Sequence, residues 1–204
     1  MQADEVFNLP AELHKSTDLW QLISGKLQGV SIPDTTLAKR VGVGFLYLSL
    51  EHLFAIITLT RKSQFASAFA LMRPQYEAAI RGAWFSFSAT DKQAERFLEG
   101  RSPPAIQVQI DDLVAARPDM EGLHAIHKGS WDWLNDFTHG GEVLIKSRFR
   151  DGRIDCAITD THAATNLAHT RRFGLVVAVW FAEIAGREDL CTDFYHQLLL
   201  HDRT

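Results

Sequence analysis

The sequence has few of the features that mark exported or disulfide-stabilised proteins. It contains two cysteines, Cys156 and Cys191, among 204 residues, which is too few for a disulfide framework. The opening residues, MQADEVFNLPAEL, contain neither the basic stretch nor the apolar stretch of a secretory signal peptide. These absences predict a protein of the reducing cytoplasm.

Positive charge is also scarce relative to negative charge. The chain has 21 Lys and Arg residues against 25 Asp and Glu residues, which gives a formal net charge of -4. This balance argues against a surface that is broadly coated by nucleic acid. Any site for a polyanion must therefore be local.

The sequence lacks the signature motifs of several large enzyme classes. It contains no G-x-x-x-x-G-K-[ST], no G-x-G-x-x-G and no G-x-S-x-G. Nucleotide hydrolysis, dinucleotide redox chemistry and α/β-hydrolase chemistry therefore lose their usual sequence support. The tetrapeptide VGVG, at Val41 to Gly44, lies inside a helical pattern and not between a strand and a helix. We predict no cofactor.

One apolar run approaches the length of a membrane span. It is VGVGFLYLSLEHLFAIITLT, from Val41 to Thr60. Glu51 and His52 lie at its middle, where ionisable groups are costly in lipid. The run predicts a central core helix and no membrane span.

Hydrophobic periodicity is helical over most of the chain. It predicts a mainly α, single-domain helical bundle over residues 1–204. The centre of the bundle is formed by the second, third and last long helices, of which the second and third are an antiparallel pair. The predicted helices span about 12–30, 36–61, 65–88, 91–98, 102–118, 119–140 with an interruption at Gly129, 160–186 and 189–200.

The periodicity changes after the double glycine Gly140-Gly141. Apolar and polar residues alternate on both sides of Asp151-Gly152, a pair typical of tight hairpin turns. We predict one small β-hairpin over about residues 142–158. Its basic face, with Lys146, Arg148 and Arg150, is suited to phosphate backbones, although charged strands also prevent aggregation.

The segment LMRPQYEAAIRGAWF places three charges at four-residue spacing within a largely apolar helix. Arg73, Glu77 and Arg81 share one helical face, and Pro74 predicts a kink or joint beside them. Two guanidiniums against one carboxylate leave a positive excess that suits a phosphate or carboxylate ligand. The alternative is a buried ion network that fixes helix register.

Two histidines, His52 and His139, are further candidates for a site beside these arginines. His52 lies in an apolar stripe of the second helix, where a satisfied core histidine is the alternative to a binding residue. His139, in NDFTHGG, lies at a helix end, and Asp136 is spaced to orient its imidazole. We predict that His139 is a catalytic acid or base, with a turn or capping histidine as the alternative.

Two further histidine pairs have spacings that metal sites use. His124 and His127 are three residues apart, and His162 and His169 are seven apart. Neither pair has a carboxylate at a standard ligand spacing, and no H-E-x-x-H motif or cysteine cluster is present. We predict no metal site.

The charged helix and the FTHGG turn resemble a group of uncharacterised bacterial helical proteins with domains of unknown function. Those proteins have an R-P-x-x-E helix followed by an H-G or H-S turn. The resemblance covers about Phe45 to Gly141 and carries over Arg73, Glu77, His139 and Arg81. It implies no established activity.

The helical layout is also similar to that of HEPN domains, many of which are metal-independent ribonucleases. Their hallmark is an arginine followed four to six residues later by a histidine on one helix. The match here is RPDMEGLH, from Arg117 to His124, in which Pro118 stands where a polar residue is usual. This similarity implies RNA as a substrate and phosphodiester cleavage as the activity.

Three functional hypotheses follow. The first is a binding module in which Arg73, Glu77, Arg81 and His52 bind an anionic small molecule or partner segment beside His139. The second is a ribonuclease or related phosphodiester enzyme, in which His139 transfers protons and an arginine stabilises phosphate charge. The third is a purely structural helical homo-oligomer assembled through exposed apolar helix faces.

Overall fold

Helices account for most of the computed structural model, which describes residues 8–33, 35–150, 152–154 and 158–201. The mainly α prediction is confirmed. A 3-10 turn at Pro118–Met120 precedes the seventh helix. The elements in chain order are α1 (Leu9–Leu27), α2 (Leu37–Arg61), α3 (Phe65–Ala70), α4 (Met72–Phe87), α5 (Asp91–Leu98), α6 (Ile106–Ala116), α7 (Gly122–His139), α8 (Glu142–Lys146), β1 (Phe149–Arg150), β2 (Arg153–Ile154), α9 (Asp160–Ile184) and α10 (Glu188–His201).

Side-chain caps explain where the long helices begin. The Thr36 hydroxyl accepts a hydrogen bond from the Lys39 amide at the start of α2. Thr159 and His162 form a reciprocal capping box at the start of α9. Each cap satisfies a backbone N–H group that has no partner inside the helix.

The core lies between α2, α4 and α9. The inner face of α2 buries Leu46, Leu50 and Leu53, and α4 contributes Ile80 and Trp84. Helix α9 packs against α2 and α4, while α1 and α10 cover its other sides. The central position that the sequence predicts for the second, third and last long helices is confirmed.

Two glycines allow α2 and α4 to approach closely. A Cβ atom on Gly42 would lie 2.7 Å from the backbone oxygen of Gly82, and one on Gly82 would lie 2.9 Å from the backbone nitrogen of Leu46. Neither backbone atom can give way without moving a helix. This contact fixes the position of the charged face of α4 relative to α2.

We expect Gly42→Ala to lower the free energy of unfolding by about 1–3 kcal/mol, because the added methyl group overpacks the helix contact. Gly44→Ala is the matched control, since a Cβ atom there meets nothing within 4 Å. That variant should be stabilised by about 0.5–1 kcal/mol, the difference between alanine and glycine inside a helix. Urea denaturation of both variants measures the two effects, and equal stabilities would contradict the close approach.

The predicted third helix is divided in two. Helix α3 ends at Ala70, and α4 begins at Met72 after a turn at Leu71. Pro74 has no N–H group, so the carbonyl oxygen of Ala70 lacks its usual helical partner. The predicted joint beside Pro74 is therefore confirmed.

The hairpin is shorter than the alternating pattern indicates. Strands β1 and β2 pair antiparallel over two residues each, with Phe149 opposite Ile154. Residues Glu142–Lys146 form α8 instead of a strand, because the Asp136 carboxylate accepts hydrogen bonds from the Val143 and Leu144 amides. Asp151 of the predicted turn and residues 155–157, including Cys156, lie outside the described residues.

Helix α7 is continuous, and the predicted interruption at Gly129 is wrong. The helix runs from Gly122 to His139 and ends at Gly140, whose φ is 68°. Glycine lowers helix stability only modestly, and packing of Leu123, His127 and Leu134 against the core outweighs that cost. Gly140 supplies the left-handed conformation that ends many helices.

The outer face of α2 exposes large apolar side chains. Tyr47 is 56% exposed and Phe54 is 49% exposed. By length and composition alone α2 could cross a membrane, with a mean hydropathy of 1.6, but core helices of soluble proteins pass the same test. The predictions of no membrane span and of a homo-oligomer both concern this face, and both stay predictions.

Candidate functional site

A cleft of about 320 Å³ brings the predicted site residues together. It lies between α2, α4 and the C-terminal end of α7. Its lining residues are Phe45, Leu48, His52, Arg73, Pro74, Glu77, Ala78, Arg81, Thr138 and His139. The sequence places these residues on three separate helices, and the fold places them around one space.

The break at Pro74 explains why α7 ends beside the arginines. The Ala70 carbonyl oxygen, freed by the proline, lies 3.3 Å from the Thr138 hydroxyl. That hydroxyl shares its proton with the Leu134 carbonyl oxygen of its own helix, 2.9 Å away. The contact joins the end of α7 to the start of α4 and so places His139 next to Arg73.

Glu77 bridges the two arginines through different oxygens. Arg73 Nε donates to Glu77 Oε1 over 2.7 Å, and Arg81 Nη2 donates to Glu77 Oε2 over 2.6 Å. The side chains of Arg73, Glu77 and Arg81 are 21%, 14% and 30% exposed. The network is therefore partly buried and remains open to the cleft.

The carboxylate does not satisfy all the donors of the two guanidiniums. Each arginine has five N–H donors and gives Glu77 one of them. Arg81 Nε is buried and has no hydrogen-bond partner within the described ranges. Because one negative charge faces two positive charges, the face keeps a net positive charge.

Arg73 is held in place by two further contacts. Its guanidinium carbon lies 5.0 Å from the centre of the Trp131 ring, which is within the range of a cation–π interaction. Its Nη1 atom contacts Nε2 of His139. A guanidinium can only donate, so Nε2 of His139 accepts and its ring proton lies on Nδ1. The exposed His139 ring thus directs its remaining N–H away from Arg73.

Asp136 does not orient His139, which corrects the expectation from spacing. Its two oxygens bind the Val143 and Leu144 amides over 3.3 and 3.0 Å. A Cβ atom on Gly141 would meet the same carboxylate at 2.1 Å, so glycine there allows the chain to turn around it. Asp136 is a structural residue of the α7 to α8 connection.

His52 lies at the edge of the cleft and not in the core. Burial of its ring lowers the pKa of His52, and the nearby negative charge of Glu51 raises it by a smaller amount. The neutral imidazole is therefore favoured at neutral pH. The stripe of α2 that includes Phe45 and Leu48 lines the cleft. A neighbouring face of the same helix packs into the core.

Three of the four histidines in the predicted pairs contact partners within the fold. His124 Nε2 lies 3.0 Å from Asp111 Oδ1, and His127 Nδ1 lies 3.1 Å from the Tyr76 hydroxyl. His162 Nδ1 accepts a hydrogen bond from the Thr159 amide at the start of α9. Across residues 8–33, 35–150, 152–154 and 158–201, no group of three or more His, Cys, Asp or Glu side chains is arranged to hold a metal ion.

The arginine and histidine that resemble the HEPN hallmark lie outside the cleft. Arg117 donates to the carboxylates of Asp119 and Glu183, over 2.9 Å and 2.7 Å at their closest. Its guanidinium also lies over the Phe87 ring. Both carboxylates compete with any phosphate for this arginine, so these contacts give the ribonuclease hypothesis no support here.

Two residues that position the site, Thr138 and Trp131, are not among those that the sequence predicts. Thr138 directly precedes His139, but its role depends on the Ala70 carbonyl, which the sequence does not connect to it. Trp131 lies about two turns before His139 on α7, and its contact with Arg73 depends on how α7 packs beside α4. A search for aromatic side chains on the face of His139 could have identified it.

Comparison with known proteins gives a family and no established activity. Residues 46–197, well over half of the chain, match DUF6988, a family of unknown function. The matched range contains Arg73, Glu77, Arg81, His52 and His139. No curated protein and no solved structure matches the chain. The expectation of a family of unknown function is confirmed, and the chain belongs to the DUF6988 family.

Proposed function

We propose that this protein is a binding module whose cleft takes an anionic small molecule. The observation that carries this proposal is that the hydrogen-bond donors of Arg73 and Arg81 are only partly paired. Glu77 bridges Arg73 and Arg81, yet the Nε–H group of Arg81 stays buried without a partner in the described structure. A buried, unpaired donor on a cation costs free energy that a bound anion would recover.

The size and chemistry of the cleft favour a small phosphate or carboxylate. A volume of about 320 Å³ lies at the lower end of the range for small-molecule sites, roughly 300–1,000 Å³. Phe45 and Leu48 of α2 give the cleft an apolar part of its lining. The ligand would therefore present one anionic group to Arg81 and Arg73 and a compact apolar part to α2.

A thermal-shift screen of the full chain tests the proposal. The ligands are inorganic phosphate, nucleoside monophosphates and small dicarboxylates, each compared with sodium chloride at equal ionic strength. A ligand at 100 times its Kd should stabilise the fold by about 2.7 kcal/mol. If no ligand raises Tm above its chloride control, the binding proposal is wrong.

The same cleft supports a second candidate, a phosphodiester enzyme. The favouring observation is that two histidines, His52 and His139, line a cleft that also contains two arginines. Imidazoles can transfer protons while guanidiniums stabilise phosphate charge. In this candidate His139 is the acid or base.

Cleavage of a labelled RNA oligonucleotide tests this candidate. The wild-type chain should cleave the oligonucleotide. The His139→Ala variant should stay folded and should not cleave it. His196→Ala, an exposed position on α10, is the matched control and should cleave normally. Full cleavage by His139→Ala, or none by the wild type, would rule the candidate out.

A further inference from the structure

A second and larger cavity lies on the opposite side of the first turns of α4. Its volume is about 560 Å³, and it is bounded by α4, α7, α9 and the end of α10. Met72 and Gln75 of α4 line it, while their neighbours Arg73 and Pro74 line the anion cleft. The two spaces thus share one helix but present different chemistry.

Small side chains on α7 leave this space open. Ala125, Gly129 and Ser130 lie on the face of α7 that lines the cavity. A Cβ atom on Gly129 would meet nothing within 4 Å. The protein therefore keeps a cavity where a larger side chain would fit and would also favour the helix.

The walls are mainly apolar and include large aromatic rings. Trp133 of α7, with Phe173 and Val176 of α9, lines the space. His169 lines it as well, and burial together with the positive charge of Arg172 lowers the pKa of this imidazole. The neutral form of His169 is favoured at neutral pH. Arg172 is the charged residue of the lining, and it has an interaction of its own within the protein.

One buried polar group in this wall lacks a partner. Thr170 is 2% exposed, and its hydroxyl oxygen has no hydrogen-bond partner within the described residues. Gln75 Nε2 donates to the backbone carbonyl of Thr170 over 3.3 Å and leaves the hydroxyl unused. Buried hydroxyls are nearly always paired in folded proteins, so the orphan points to a ligand group.

We propose that this cavity binds an uncharged, largely apolar small molecule through a hydrogen bond to the Thr170 hydroxyl. The volume falls within the range of small-molecule sites, roughly 300–1,000 Å³, and the aromatic rings suit a planar or aromatic body. A single hydroxyl or carbonyl on the ligand meets Thr170. This site is separate from the anion cleft and does not depend on its function.

The test uses the neutral fluorescent probe N-phenyl-1-naphthylamine and the full chain. The wild type should bind it saturably at one site. Gly129→Leu should weaken binding at least tenfold, because the leucine side chain occupies the cavity. Gly25→Leu is the matched control on the exposed side of α1, where a Cβ atom also meets nothing within 4 Å, and it should bind as the wild type does.

A second variant tests the hydrogen bond independently of cavity filling. In competition with the probe, 1-naphthol should bind the wild type about fivefold more tightly than naphthalene, the size expected for one buried hydrogen bond. Thr170→Val should remove this preference and keep naphthalene binding. Arg81→Met should change neither affinity, since Arg81 lines the other cleft.

The proposal is overturned if the wild type shows no saturable probe binding, or if Gly129→Leu binds the probe as tightly as Gly25→Leu. An unchanged preference for 1-naphthol in Thr170→Val would overturn the assignment of the hydroxyl. Circular dichroism of each variant shows that it is folded before its affinity is compared.

Discussion

Replacing Arg81 with methionine should weaken the binding of inorganic phosphate by about tenfold to a hundredfold. The substitution removes the buried Nε–H donor and one of the two positive charges that face the cleft. A hydrogen bond to a charged group contributes about 1.5–3 kcal/mol, which corresponds to the expected loss. Isothermal titration calorimetry at low ionic strength measures the affinity.

Stability and charge need separate controls in this experiment. The Arg81 side chain is 30% exposed, so losing its ion pair with Glu77 should cost less than about 1 kcal/mol. Arg101→Met makes the same charge change at an exposed position outside the cleft. That control should bind phosphate as the wild type does. Equal loss in both variants would mean that net charge, and not the cleft, determines binding.

Replacing Glu77 with glutamine should have the opposite effect on phosphate affinity. Glu77 carries the negative charge nearest the arginines, and it holds one donor from each. The removed charge lies about 5 Å from the expected ligand. At an effective dielectric constant between those of water and protein, its removal makes the binding free energy more favourable by about 1 kcal/mol. We therefore expect phosphate to bind about fivefold more tightly.

The same substitution should lower the free energy of unfolding. Two partly buried guanidiniums would keep their charges with one neutral amide between them, which costs about 1–3 kcal/mol. Glu95→Gln, exposed on α5, is the matched control and should change neither property. If Glu77→Gln loses stability without any gain in phosphate affinity, the charged face is a register-fixing network and not a binding site.

The sequence predicted the helices and one side of the site well. Four-residue spacing places Arg73, Glu77 and Arg81 on one face because the helical repeat is fixed by backbone geometry. The proline joint and the end of α7 at Gly140 follow from equally local rules. The grouping of these residues with His52 and His139 was only a hypothesis, since it depends on how three helices pack.

The remaining features depend on contacts between distant residues. The Thr138 contact with Ala70 joins residues 68 positions apart, and no local pattern indicates it. Asp136 was assigned to His139 because both share a helix end, but two backbone amides of α8 compete successfully for its oxygens. Residues 142–146 alternate as a strand would, yet they form α8, because a carboxylate from α7 caps that short helix.

In the proposed complex, the buried Nε–H group of Arg81 donates a hydrogen bond to the bound anion. The most direct measurement follows the Arg Nε–Hε resonances of the 15N-labelled full chain during a titration with inorganic phosphate. The Arg81 resonance should shift saturably, while that of Arg117, whose Nε already donates to Asp119 over 3.0 Å, should stay unchanged. An unmoved Arg81 resonance, or shifts of equal size at both arginines, would contradict the account.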